Sequence, residues 1–176
     1  MTVRVVLDTD LGTDVDDCIA LAFLLGSPEI HLDAITTVYA DVALRARMAR
    51  KLLALRGGEA ASIPVYEGIG APLMGLEPVY WPGHEGIGLL EEGDDKRFAT
   101  GPGTHAVDFL VEHVLAHPGE IHLLAIGPLT NVAAAITREP RFAASLRHLT
   151  IMGGWFAVTP TSPRGPAEHN IICDPE

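Results

Sequence analysis

Residues 3–26, VRVVLDTDLGTDVDDCIALAFLLG, decide the fold. They open with VRVVLD (3–8), a continuous β-branched and apolar run of the kind buried on both faces of a sheet. Acidic residues then precede CIALAFLLG, with Gly26 and Pro28 as stop signals. This predicts a helix over residues 14–26 whose negative end lies where the helix dipole favours it. A first, central strand leading through a carboxylate-rich turn into a helix is the opening unit of an α/β chain.

The same alternation continues outward. HLDAITTV (31–38) reads as a second strand, DVALRARMARKLLALRG (41–57) as an amphipathic helix ending at Gly57, and IPVYEG (63–68) as a third strand. Residues 68–103 break the pattern with nine Gly and four Pro, interleaved with Tyr80, Trp81, His84 and the acids Glu91, Glu92, Asp94 and Asp95. A structureless stretch of this length inside a compact domain reads as a functional loop or flap. The pattern resumes as helix 104–117, strand 120–126, helix 129–138 and strand 148–152. The expected fold class is α/β, one domain over residues 1–176 with an open, mostly parallel sheet flanked by helices. Such sheets work at the carboxyl ends of their strands, which nominates residues 8–17, 38–41, 126–131 and 153–170.

Composition narrows the function. The chain has 176 residues, 48% hydrophobic, with 12 Lys plus Arg against 23 Asp plus Glu, a formal charge of −11. That sign argues against nucleic acid or an anionic membrane surface as a partner. Mean hydropathy is +0.25, so the acid excess is not a disordered tail. Cys18 and Cys173 stand far apart with no metal spacing, which predicts free thiols in a reducing compartment. The short apolar run before Asp8 is no signal-peptide core, and the expected location is cytoplasmic.

LDTDLGTDVDD places Asp8, Asp10, Asp14, Asp16 and Asp17 within ten residues, and no Lys or Arg occurs from residue 5 to 44. Capping explains one or two of these acids, not five. So many carboxylates call for a cation held by oxygens, and calcium fits better than magnesium because several carboxylates can join it directly. An EF-hand loop from Asp8 fails, because Thr13 and Ile19 stand where Gly and Glu are needed. A haloacid dehalogenase-type phosphatase, with Asp8 as nucleophile and Asp10 as acid, fits the DTD but has only Lys51 and Lys96 to bind phosphate.

Five stretches in order, LDTDLGTDVDDCIALAFLL (7–25), AITTVYADV (34–42), IGPLTNVAAAI (126–136), IMGGW (151–155) and AEHNIICDPE (167–176), resemble the successive motifs of the inosine-uridine nucleoside hydrolases. The resemblance implies a Rossmann-like fold, one bound calcium ion and hydrolysis of a ribonucleoside to ribose and free base. It implies that Asp10 ligates calcium and acts as general base on a calcium-bound water, with Asp17 and the backbone carbonyl of Ile126 as further ligands and Asp8 behind them. Asp16, Glu168 and Asn170 would hold the ribose. Asp41 and Ser162 stand where the family commonly has Asn, His169 stands for a Phe, and His84 of WPGHEGIG resembles the flap histidine. Asp41, His84 and Ser162 complete the expected substrate contacts. Trp81 and Trp155 are candidates for the base wall, Asp14 for a helix cap, and Thr130 and Asn131 read as an N-cap.

The chemistry fits. Breaking a ribosyl bond builds oxocarbenium character, which facing carboxylates stabilise. The chain stops inside the family's DPEAA motif, so it reads as an amino-terminal piece, inactive alone if the absent part supplies further ligands. The resemblance also implies a homodimer or homotetramer. A second class of function is a calcium-dependent nucleoside or ribose-binding module without catalysis.

Overall fold

The computed structural model describes residues 2–12, 15–75, 85–154 and 168–175. Five strands, β1 (Val3–Thr9), β2 (Ile30–Thr37), β3 (Val65–Glu67), β4 (Ile121–Ala125) and β5 (His148–Ile151), form one sheet in the order β3-β2-β1-β4-β5. Every neighbouring pair is parallel. The apolar run of β1 is therefore central, as its composition demands: Val6 and Leu7 are fully buried. The chain runs outward from β1 through β2 to β3, then returns to the other side of β1 as β4. That reversal is a topological switch point, and it lies between the carboxyl ends of β1 and β4.

Seven helices follow the strands: α1 (Asp16–Gly26), α2 (Val42–Arg56), α3 (Asp94–Arg97), α4 (Ala106–Ala116), α5 (Thr130–Arg138), α6 (Arg141–Ser145) and α7 (His169–Cys173), counted among the described residues. One face of the sheet packs on α1 and α2 through Leu7, Leu21, Leu24, Ile35 and Leu53. The other packs on α4, α5 and α6 through Val6, Leu110, Leu123, Val132 and Phe142. Asp16 and Asp17 occupy the first turn of α1. Asp41 caps α2 by accepting from the Leu44 N–H at 2.9 Å, and α2 stops at Gly57, whose φ of 68° a side chain would disfavour.

The β1–β2 register shifts between Val5 and Val6. Val5 lies opposite Leu32 and Val6 opposite Ala34, leaving Asp33 as the extra residue of a bulge.

The long elements match their predicted positions within about two residues. The differences are short pieces of five residues or fewer, a 3-10 turn at Gly58–Ser62 and helices α3, α6 and α7, too brief to show a period. The described part of the 68–103 loop is more tightly packed than its composition predicts. Lys51 on α2 donates to Asp94 at 2.7 Å and Glu91 at 2.9 Å, and Phe98 is buried. Among the described residues no helix is long and apolar enough to cross a membrane.

Candidate active site

The switch point gathers the acids of the first turn. Asp8, the penultimate residue of β1, is fully buried, its Oδ1 accepting from Thr36 Oγ1 at 2.5 Å and from Asn131 Nδ2 at 2.8 Å. Burial pushes its carboxyl up to about 6 against these two donors, and the charge of Asp10 adds to the rise. Asp17, also buried, is pushed up to about 7 by desolvation and then by Asp10, while Thr9 Oγ1 donates to its Oδ1. Asp10 is raised by burial and held back chiefly by Arg45. Asp16 is exposed at the mouth of the first turn.

Gly127 lets this cluster close against β4. A Cβ there would lie 2.8 Å from the Asp10 amide nitrogen and 3.0 Å from its Oδ1. Any side chain at 127 would push Asp10 off the end of the sheet. The preceding residue, Ile126, is buried, and its carbonyl accepts from Asn170 Nδ2 at 2.8 Å. Asn170 donates also to the Met152 carbonyl at 3.0 Å, so α7 is fastened across the carboxyl ends of β4 and β5. Glu168 caps α7, its two oxygens accepting from the Asn170 and Ile171 N–H groups at 3.1 and 3.2 Å. Asp174 secures the other end, accepting from Thr130 Oγ1 and from the Leu73 N–H.

The structure thus brings Asp8, Asp10, Asp17, Ile126, Glu168 and Asn170 to one end of the sheet. Asp41 lies at that end too, but exposed and engaged as a helix cap. His84 and Ser162 lie outside the described residues, as do Asp14, Trp81 and Trp155.

Two expectations change. Thr130 and Asn131 do not cap α5, whose N-cap position is Leu129. The Asn131 amide instead ties Asp8 to the Thr37 carbonyl at 3.1 Å and accepts from the Ile69 N–H at 2.9 Å, a three-way link that its place in GPLTN does not advertise. The aspartates also have a basic neighbour. Arg45, one residue past the Lys- and Arg-free stretch, is buried, and its Nη1 donates to the Asp10 carbonyl.

The sequence model described as inosine-uridine preferring nucleoside hydrolase matches residues 5–176. The chain belongs to that family. A probable uridine nucleosidase of Oryza sativa subsp. japonica is 34% identical over 98% of the chain and 53% of its own length. A pyrimidine-specific ribonucleoside hydrolase of Escherichia coli O157:H7 is 31% identical over 98% and 54%. Among solved structures, a plant nucleoside hydrolase superposes with a TM-score of 0.85 at 34% identity, covering all of this chain and 55% of that one. A purine-preferring ribonucleoside hydrolase from Gardnerella vaginalis gives 0.82 at 31%, covering 98% and 55%. The chain spans about half the length of the relatives it matches.

Family membership disposes of the phosphatase alternative, and the lysines agree. Lys51 is committed to Asp94 and Glu91, and Lys96 is exposed on α3. At the switch point Asp17 is a buried carboxylate raised in part by the charge of half-buried Asp10, with the Ile126 carbonyl at the same end of the sheet. Among the described residues no three ligating side chains form a complete metal cluster. The oxygen-only donor set and the mutual repulsion of Asp10 and Asp17 nonetheless suit a hard divalent cation.

Proposed function

We propose that this chain carries the ribose- and metal-binding part of a calcium-dependent nucleoside hydrolase, cleaving the N-glycosidic bond of a ribonucleoside to ribose and free base. The observation that carries the reading is the pair Asp10 and Asp17 at the switch point, half-buried Asp10 raised in proton affinity by desolvation and buried Asp17 by desolvation and then by the charge of Asp10. Asp10, Asp17 and the Ile126 carbonyl would hold calcium. When bound, the ion supplies a positive charge that orients water and the ribose diol and makes that water more acidic.

Asp10 takes the proton from the attacking water. Its burial suits a base, because a carboxylate drawn out of solvent holds a proton more readily. Asp16, Glu168 and Asn170 orient the sugar hydroxyls, and the carboxylates facing the ring stabilise the charge that develops as the base departs. Substrate contacts from Asp41, His84 and Ser162 belong to the same reading. The two free thiols, Cys18 and Cys173, support a reducing, cytoplasmic setting. Exposed Val15, Ile19 and Phe23 on and beside α1 support association into homodimers or homotetramers.

Release of free base and reducing sugar from inosine, uridine, adenosine and cytidine, with calcium and with chelator, tests the proposal. Calcium-dependent release is expected from a form of the protein extended to the length of its relatives, and Asp10→Asn in that form should lower it about 10³-fold while leaving the fold intact. Normal turnover by that variant would overturn the assignment. Nucleoside retained without base release would favour the non-catalytic binding module.

A further inference from the structure

Three loops meet on one side chain that no role above uses. Arg45, in the first turn of α2, is 5% exposed. Its Nε donates to the Tyr39 carbonyl at 2.7 Å, its Nη1 to the Asp10 carbonyl, and its Nη2 pairs with Glu85 Oε1 at 3.3 Å. Glu85 is itself 7% exposed at its side chain.

Each contact falls where the backbone is constrained. Tyr39 and Ala40 have φ values of 66° and 57°, two consecutive left-handed residues with side chains, a conformation that persists only where the surroundings enforce it. Their N–H groups donate to the Ile69 and Gly70 carbonyls at 2.8 and 2.7 Å, and the Arg45 contact is the complementary hold on the Tyr39 carbonyl. On the β1–α1 side, a Cβ at Gly12 would lie 2.4 Å from Arg45 Nη1 and 3.3 Å from the Asp10 carbonyl oxygen. The glycine therefore leaves the space the guanidinium occupies. A planar fork of donors can satisfy two carbonyls and a carboxylate in fixed directions at once, which a lysine ammonium cannot.

We propose that Arg45 is the positioning residue of the site: it fixes the main chain of Asp10 against the strained Tyr39–Ala40 turn, and Glu85 fixes Arg45. This rests on the nucleoside hydrolase reading of the same site. Arg45 acts through the Asp10 backbone and not by touching substrate, and its geometry matters beyond its charge.

Hydrogen exchange of the calcium-free chain, followed at the Leu11 and Gly12 amides, and calorimetric titration with calcium alone test this in R45K, R45M and E85Q. Both Arg45 variants should exchange at least tenfold faster at Leu11 and Gly12, with α4 unchanged, and bind calcium about tenfold more weakly. E85Q should shift both readouts in the same direction by a smaller factor, and it keeps the test open should R45M fail to fold. Wild-type exchange and affinity in R45K would show that charge alone matters and would overturn the proposal. So would unchanged loop exchange in all three variants, or faster exchange spread evenly over every element. If the wild-type chain takes up no calcium, the metal part of the proposed function fails, while the exchange data still decide the role of Arg45.

Discussion

Buried acids stand at both ends of the central strands, and the two ends treat them oppositely. At the amino end, Asp33 has a side chain 3% exposed and is surrounded by donors: Arg4 Nη2 at 2.7 Å, His31 Nδ1 at 2.7 Å and His113 Nε2 at 2.8 Å. Burial pushes its carboxyl up, but the hydrogen bonds from His113, Arg4 and His31 together outweigh that and hold it well below the usual carboxylate range. At the carboxyl end, Asp8, Asp10 and Asp17 are also desolvated, yet their donors do not compensate and all three are raised. Burial alone therefore does not tell a structural acid from a reactive one. The supply of fixed positive donors does, and the end left short of them is the end with spare affinity for a proton or a cation.

The largest effect that would break this contrast is at the amino end. Asp33→Ala leaves Arg4 and His113 without their shared carboxylate and should cost about 3 kcal/mol in urea unfolding. A loss below about 1 kcal/mol would mean that the cluster does not hold the sheet end together.

The pH dependence of stability sharpens the comparison with opposite signs at the two ends. Folded Asp8 and Asp17 keep protons up to about 6 and about 7, whereas the unfolded chain releases them near 3.8. From about pH 4 to 7 the folded state then binds more protons than the unfolded one, so stability without calcium falls as pH rises through this window. Asp17→Asn removes its share and should flatten the slope, as should added calcium. Asp33 works the other way: its lowered pKa stabilises the fold above the unfolded value, and that contribution is lost as pH falls through the folded one. Urea unfolding between pH 3 and 8, with and without calcium, reads both limbs. A flat profile through pH 4 to 7 in the calcium-free chain would contradict the carboxyl-end reading.

The smallest effect is expected at His31, whose side chain is 69% exposed. His31→Gln should change stability by no more than about 0.5 kcal/mol, because Arg4 and His113 still hold Asp33.

What could be read in advance follows from distance along the chain. β1, α1 and the DTD between them are local, so the apolar run, the acids and the stop at Gly26 stand together in one window. The placement of the site at the strand ends followed from the α/β alternation itself. Arg45 was not legible as a partner of Asp10, because 35 residues separate them and only the start of α2 beside the Tyr39–Ala40 turn brings them together. Asn131 offered a polar residue at a helix start, where capping is the ordinary use, and the actual partners come from β1, β2 and the loop after β3. Asp33 gave no sign of being an extra residue, since a bulge depends on pairing and not on composition.

The bulge at Asp33 links the two ends of the molecule. Side chains along a strand alternate between faces, so one additional residue reverses the phase of all that follow. Leu32 and Ile35, three apart, both face α1 and α2, which an unbroken strand would not allow. The reversal is what turns Thr36 toward Asp8 and presents its hydroxyl to that carboxylate. Deleting a single residue at the amino end of β2 would therefore behave like a frameshift in three dimensions, altering the support of the aspartate site without touching a residue within it.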